Sequence, residues 1–168
     1  VTGLSGAGRG TAAKVLEDLG WYVADNLPPE LIAQMVDLGL AAGSRITQLA
    51  VVMDVRSRGF TGDLDWVRRE LATRNIVPRV LFLPDRFLAA YVATQTRTEI
   101  IPWSGRCEVH ERFTGDEIRE FRGRFDALTV IAHPECPPDV LAEADFVGST
   151  ARMVDFVTAE RPQRVLMV

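Results

Sequence analysis

Short apolar runs rich in Val, Ile and Leu alternate along the chain with amphipathic segments of about a dozen residues, a rhythm that favours repeated βα units closing on a parallel sheet. The spacing predicts strands over 21–24, 49–55, 79–83, 99–103, 128–132, 146–147 and 164–168, the last expected to run off the end of the chain. Apolar residues three and four apart predict helices over 11–19, 29–40, 64–73, 86–96, 115–125, 138–144 and 151–160. Turn-forming residues fall where strands should give way to loops: Asp25-Asn26-Leu27-Pro28, Ser57-Arg58-Gly59 and the stretch from Pro102 to Gly105. The expected fold is α/β, with a mainly parallel sheet in a three-layer αβα sandwich.

With 168 residues, 47% of them hydrophobic, the chain can bury a core of ordinary size. A formal net charge of -4 and the lack of a basic run leave RNA binding unsupported. No stretch approaches the roughly 18 apolar residues of a membrane span, and no charged segment leads into an apolar one at the start, so a cytoplasmic protein is expected. The two cysteines, Cys107 and Cys136, are too few for a disulfide scaffold and fit thiols or a metal ligand in a reducing compartment. Lys14 is the only lysine among 19 basic residues, a bias attributed to codon composition.

The opening segment Gly3-Leu4-Ser5-Gly6-Ala7-Gly8-Arg9-Gly10-Thr11 has the glycine spacing of a Walker A loop, in which small residues let backbone N–H groups wrap a polyphosphate at a helix N-terminus. A working loop places Lys and then Ser or Thr after the last spaced glycine, for the phosphates and Mg²⁺. Here those places hold Arg9 and Gly10. Arginine keeps the charge in a different shape, Gly10 offers no hydroxyl, and Thr11 is one position late, about 100° round a helix. Such a loop reads either as a weak anion site or as a glycine-rich strand-to-helix turn without a ligand. Only Val1 and Thr2 precede it, so the strand that should position it is expected to be almost missing.

The run GLSGAGRGTAAKVLEDLGWYVADNLPPELI, followed by AVVMDVRSR and PRVLFL, resembles the N-terminal domain of the RapZ-type RNase adapter and P-loop nucleotide-binding family over residues 1–83. The resemblance implies ATP or GTP binding at Gly3, Ser5, Gly6, Ala7, Gly8, Arg9, Gly10 and Thr11, with Asp54 as the acidic partner of Mg²⁺. The departures at Arg9 and Gly10 count against metal-assisted hydrolysis. No counterpart of that family's C-terminal domain is seen, so an RNA-adapter role is not carried over.

From about Phe82 the wording changes. FLPDRFLAAYVATQT, WSGRCEVHERFT and VIAHPECPPDVLAEADFVGST resemble consecutive motifs of quinolinate synthase, which gives a second segment over 84–168. That family condenses iminoaspartate with dihydroxyacetone phosphate, a step of NAD biosynthesis, at a [4Fe-4S] cluster on three cysteines. The resemblance makes Cys107 one cluster ligand and His133 and Glu135 the catalytic pair that contacts substrate and moves protons. It makes Ser149 and Thr150 substrate-binding residues at the start of a helix, where a simple N-cap is the competing reading. Cys136 reads as a small buried residue. The Cys107-x-x-His110 spacing occurs in zinc sites, but no second pair accompanies it, so zinc is not expected and His110 reads as structural or supporting. Trp21, Trp103 and Phe113 read as core aromatics.

Two cluster cysteines and the family's Tyr-x-Asn and Thr-Ser-Ala-Asn type segments are absent from this sequence. The resemblance therefore implies no quinolinate synthesis by this chain alone. Three readings follow: a nucleotide- or anion-binding module, an enzyme fragment that binds a substrate-like anion, and a fusion product without a function of its own.

Overall fold

A computed structural model of the protein describes residues 1–3, 8–54 and 60–168, with only the backbone placed for Gly3, Asp54 and Phe60. The chain packs as two compact units, Val1–Gly105 and Arg106–Val168.

In the first unit β1 (Thr2–Gly3), α1 (Arg9–Asp18), β2 (Tyr22–Asp25), α2 (Pro29–Leu40), β3 (Leu49–Asp54), α3 (Phe60–Ala72), β4 (Arg79–Leu83), α4 (Arg86–Ala93) and β5 (Glu99–Pro102) follow one another. The five strands are parallel, in the order β2-β3-β1-β4-β5. Although only two residues long, β1 lies at the centre, with Thr2 opposite both Met53 and Phe82 and Gly3 opposite both Asp54 and Leu83. Thr2 is buried there. From β1 the chain passes to β2 on one side and later to β4 on the other, so the strand order reverses at β1. Such a switch point opens a crevice at the carboxyl ends of the strands.

Burial of Val80, Phe82, Leu88, Ala89 and Val92 beside Leu64 joins β4, α4 and α3 in one apolar cluster. Removing a side chain of Leu or Phe size from water stabilises by about 1.5–3 kcal/mol, so α4 is a principal contributor to this unit. Asp85 caps α4 by accepting the Leu88 N–H at 2.7 Å. On α3, Asp65 accepts from the Thr96 hydroxyl at 2.8 Å and the Arg97 N–H at 3.1 Å, fixing the loop into β5. Residues 84–105, whose wording matches the second segment, thus complete the sheet of the first unit.

In the second unit a 3₁₀ turn (His110–Arg112) and α5 (Gly115–Arg124) precede β6 (Leu128–Ala132), α6 (Pro138–Ala142), β7 (Phe146–Val147), α7 (Thr150–Glu160) and β8 (Arg164–Met167). Its three strands are parallel in the order β7-β6-β8. Ile118, Val130, Ala132, Cys136, Val140 and Val168 form its core.

The alternation of helices with parallel strands agrees with the α/β expectation, realised as two sheets. Most departures are at element ends. The helix expected over 11–19 starts two residues earlier, at Arg9, because Gly8 turns the chain with φ 79°, a left-handed conformation that glycine adopts without a Cβ penalty. The helix expected over 86–96 ends at Ala93. Two aromatics expected in the core are at the surface, Trp103 at 54% and Phe113 at 38% exposure, since both follow element ends rather than lying on a buried face. The turn at Ser57-Arg58-Gly59 lies outside the described residues.

Candidate functional site

Gly3 ends β1 with its backbone in register between Asp54 and Leu83, so the glycine-rich segment leaves the sheet at the switch point. Ser5, Gly6 and Ala7 lie outside the described residues, as does the side chain of Asp54. Beyond them Gly8 is the N-cap of α1, and its carbonyl accepts the Ala12 N–H at 2.9 Å. Among the described residues no side chain caps this helix and its first turn carries no acidic residue, so its positive dipole end favours an anion.

Arg9 Nη1 donates to the Met53 carbonyl at the end of β3, at 2.9 Å, which ties the first turn of α1 to the sheet. Gly8, Arg9, Gly10, Thr11, Lys14 and Asp25 line a recess of about 380 Å³. Two of these residues were not singled out from the sequence. Lys14 lies one helical turn beyond Gly10, on the same face, and its i, i+4 spacing from Gly10 was the readable signal. Asp25 comes from β2, and only the sheet brings it to α1. A larger apolar cavity of about 560 Å³ is lined by residues such as Ile46, Leu49, Pro78 and Arg79, which precede or begin strands.

In the second unit a turn brings Cys107 and His110 to one side: the Glu111 N–H reaches the Cys107 carbonyl at 3.1 Å and the Arg112 N–H the Val109 carbonyl at 3.3 Å. An ion pair of Arg106 with Glu111, at 2.7 Å, braces this turn. The segment after β6 is fixed from another direction. The His133 N–H donates to the Val168 carbonyl at 2.8 Å, and the Cys136 N–H closes a turn on the His133 carbonyl at 2.9 Å. Cys136 is fully buried, as expected, and anchors that turn in the core.

The result is a cluster of Cys107, His110, His133 and Glu135. The two imidazoles stack with centroids 5.0 Å apart and planes inclined by 13°. Oε2 of Glu135 lies 3.2 Å from His110 Nδ1 and 3.6 Å from His133 Nδ1. The shorter contact is close enough for a hydrogen bond but misdirected, which leaves His110 Nδ1 buried and without a hydrogen-bond partner. His133 Nδ1 accepts a long bond from the Glu135 N–H, at 3.4 Å, which in a neutral ring puts the proton on Nε2. His133 and Glu135 thus lie together, with Cys107 and His110 beside them.

Gly148, Ser149 and Thr150 follow β7 where it pairs with β6 through Ala132 and Val147, so they leave the sheet on the same edge as His133. Ser149 caps α7, its hydroxyl accepting the Arg152 N–H at 3.5 Å, and both Ser149 and Thr150 are exposed. The capping interaction expected as the competing reading is present.

Each half of the chain matches a known family. The RapZ-like N-terminal domain matches residues 1–96. The quinolinate synthetase A protein family matches residues 70–168. The chain belongs to both families. A nucleotide-binding protein of Mycolicibacterium vanbaalenii is 99% identical over 83 residues, which cover 49% of this chain and 26% of that protein. One from Mycolicibacterium gilvum is 96% identical over 83 residues, 49% of this chain and 25% of its own length. A third, from Mycobacterium leprae, is 90% identical over 83 residues, 49% and 28% respectively. The chain therefore spans about a quarter of the length of these curated relatives.

The two family matches overlap over residues 70–96, which include β4 and α4. The quinolinate synthetase A resemblance implies a [4Fe-4S] cluster, and the donors present do not fit one. Of this chain's cysteines, Cys107 belongs to the polar cluster whereas Cys136 is packed among Ile118, Val130 and Val140. One thiolate is too few for a cluster on cysteine ligands.

Proposed function

We propose that the RapZ-like part is a weak nucleotide-binding module that takes the phosphates of ATP or GTP at the N-terminus of α1. The observation that carries this reading is the recess lined by Gly8, Arg9, Gly10, Thr11, Lys14 and Asp25 at the central switch point of the sheet. Two basic side chains face one carboxylate there, a balance that favours a polyphosphate. Gly3, Ser5, Gly6 and Ala7 supply the rest of the loop, and Asp54, beside Gly3 in the sheet, holds Mg²⁺. With Arg9 engaged by the Met53 carbonyl and Gly10 without a hydroxyl, binding is weak and hydrolysis is not supported. No described helix is long and apolar enough to cross a membrane, and a cytoplasmic location is part of this reading.

Thermal unfolding with ATP, GTP and Mg²⁺ tests it. At ten times Kd, binding adds about 1.4 kcal/mol, a rise of several degrees for a chain of this size. Lys14→Glu and Arg9→Glu abolish the rise; a shift that survives both moves the site elsewhere.

A second reading concerns the quinolinate synthetase A-like part, where His133, Glu135, Ser149 and Thr150 retain affinity for a small anion without condensing substrates. It is favoured by the shared sheet edge from which these residues project. Its signature is a ligand-induced shift lost in His133→Ala and unaffected at Arg9.

A further inference from the structure

Gly10 leaves the place of the metal-binding hydroxyl in a phosphate loop without an oxygen. A Cβ placed on Gly10 would meet no described atom within 4 Å, so this face of α1 opens onto free space. Among the residues that line the recess, only Thr11 and Asp25 carry a side-chain oxygen. Thr11 lies about 100° further round the helix than the missing hydroxyl. We propose that Asp25 takes over its role: the carboxylate holds the divalent cation of a bound nucleotide, so that the recess prefers ATP or GTP as the Mg²⁺ complex over the bare polyphosphate. This assignment rests on the nucleotide-binding reading of the recess.

Local structure fixes Asp25 at the recess. It pairs in register opposite Val52 of β3, and the next residue, Asn26, donates its N–H to the Val52 carbonyl at 3.0 Å. Asn26 then turns the chain with φ 53°, a left-handed conformation that asparagine adopts more readily than most residues. The strand therefore stops at Asp25, on the carboxyl edge where α/β sheets gather their ligand-binding groups. Among the described residues no hydrogen bond or ion pair engages the Asp25 carboxylate or the Lys14 ammonium, although both line the same recess.

Charge gives this arrangement its selectivity. A nucleoside triphosphate brings several negative charges to a recess that holds Arg9, already engaged by the Met53 carbonyl, and Lys14. Asp25 adds a like charge, which repels the bare nucleotide. A divalent cation shared between the carboxylate and the phosphate oxygens turns that repulsion into attraction. Mg²⁺ is commonly held by one or two carboxylates together with substrate phosphates and water. Asp25 and Asp54, on the neighbouring strands β2 and β3, make up that number.

Isothermal titration of the full chain with ATP, in Mg²⁺ or in EDTA, reads the metal dependence. The native chain should bind the Mg²⁺ complex about 10-fold more tightly than bare ATP, the effect of one contact to a charged group. Asp25→Asn should lose that preference and bind bare ATP about 2-fold to 5-fold more tightly, because one exposed like charge is gone. Asp25→Glu should keep the preference. Gly10→Ser added to Asp25→Asn should restore it, since the space at Gly10 accepts a hydroxyl. Circular dichroism identifies any variant that fails to fold, and the carboxyl carbon resonance of Asp25 in the native chain gives an answer without a variant. That resonance should shift when Mg²⁺ is added to the ATP-bound chain. An equal metal preference in the native chain and Asp25→Asn, or a carboxyl resonance indifferent to Mg²⁺, overturns the role of Asp25 and leaves nucleotide binding standing. No binding of ATP in either condition overturns both.

Discussion

Asp145, the residue before β7, shows how one carboxylate links an element to its neighbour. Its Oδ2 accepts the Val130 N–H at 2.8 Å and the Arg122 guanidinium at 2.8 Å, while Arg122 also reaches the Glu143 carbonyl at 2.8 Å. Burial opposes ionisation, but these two hydrogen bonds and the arginine charge outweigh it and hold the carboxyl below its ordinary value. A lowered folded-state pKa contributes stability that is full above the unfolded value, about 3.9, and is lost as pH falls through the folded one. Asp145→Asn should therefore melt earlier than the native chain at pH 7, with the gap closing below about pH 4. Its carboxylate is 45% exposed and screened by water, so the gap is small. A gap constant with pH would assign the effect to packing. Nearby, Ile118 is 1% exposed in the core of the second unit, and Ile118→Ala should cost about 2–5 kcal/mol in denaturant unfolding.

At the scale of elements, α5 begins with a reciprocal cap: the Thr114 hydroxyl accepts the Glu117 N–H at 3.3 Å and the Glu117 carboxylate accepts the Thr114 N–H at 2.9 Å. Thr114→Ala should lower stability by about 1 kcal/mol, read from the urea midpoint. Gly105 answers to a different constraint. Its carbonyl accepts the Arg86 N–H at 2.8 Å, and a Cβ placed there would come within 2.3 Å of the Pro84 carbonyl oxygen. Gly105→Ala should cost about 1–3 kcal/mol through displaced backbone. An unchanged urea midpoint would show that the strand end moves freely. The helix at 115–125 was legible from apolar spacing, whereas the need for glycine at 105 was not, because the clashing atom belongs to a segment some twenty residues earlier.

For the whole molecule, packing and similarity divide the chain differently. The first sheet takes in β5, which pairs with β4 from Arg79 opposite Glu99 to Phe82 opposite Pro102, and α4, whose Leu88, Ala89 and Val92 close its core. A fragment of residues 1–83 keeps the wording of the nucleotide-binding relatives but exposes β4 as an apolar edge and loses the cover of α4. It should be unfolded or aggregated, while residues 1–105 should fold, as circular dichroism and amide dispersion in NMR spectra would show. A cooperative transition in the shorter fragment would mean that α4 and β5 are dispensable.

The alternation of apolar runs and amphipathic segments was sufficient to predict α/β architecture with parallel strands, because that depends on local periodicity; both families were read as resemblances, from contiguous strings such as GLSGAGRG and VIAHPEC. The pairing of His133 with Glu135 was an implication of the resemblance, carried by the string His133-Pro134-Glu135 after an apolar strand. Tertiary structure alone decided the rest. The central place of a two-residue β1, the arrival of Asp25 beside Lys14, and the meeting of Glu135 with Cys107 and His110 all depend on contacts between distant segments. Strand order and turn packing create such contacts, and neither leaves a periodic trace in the sequence.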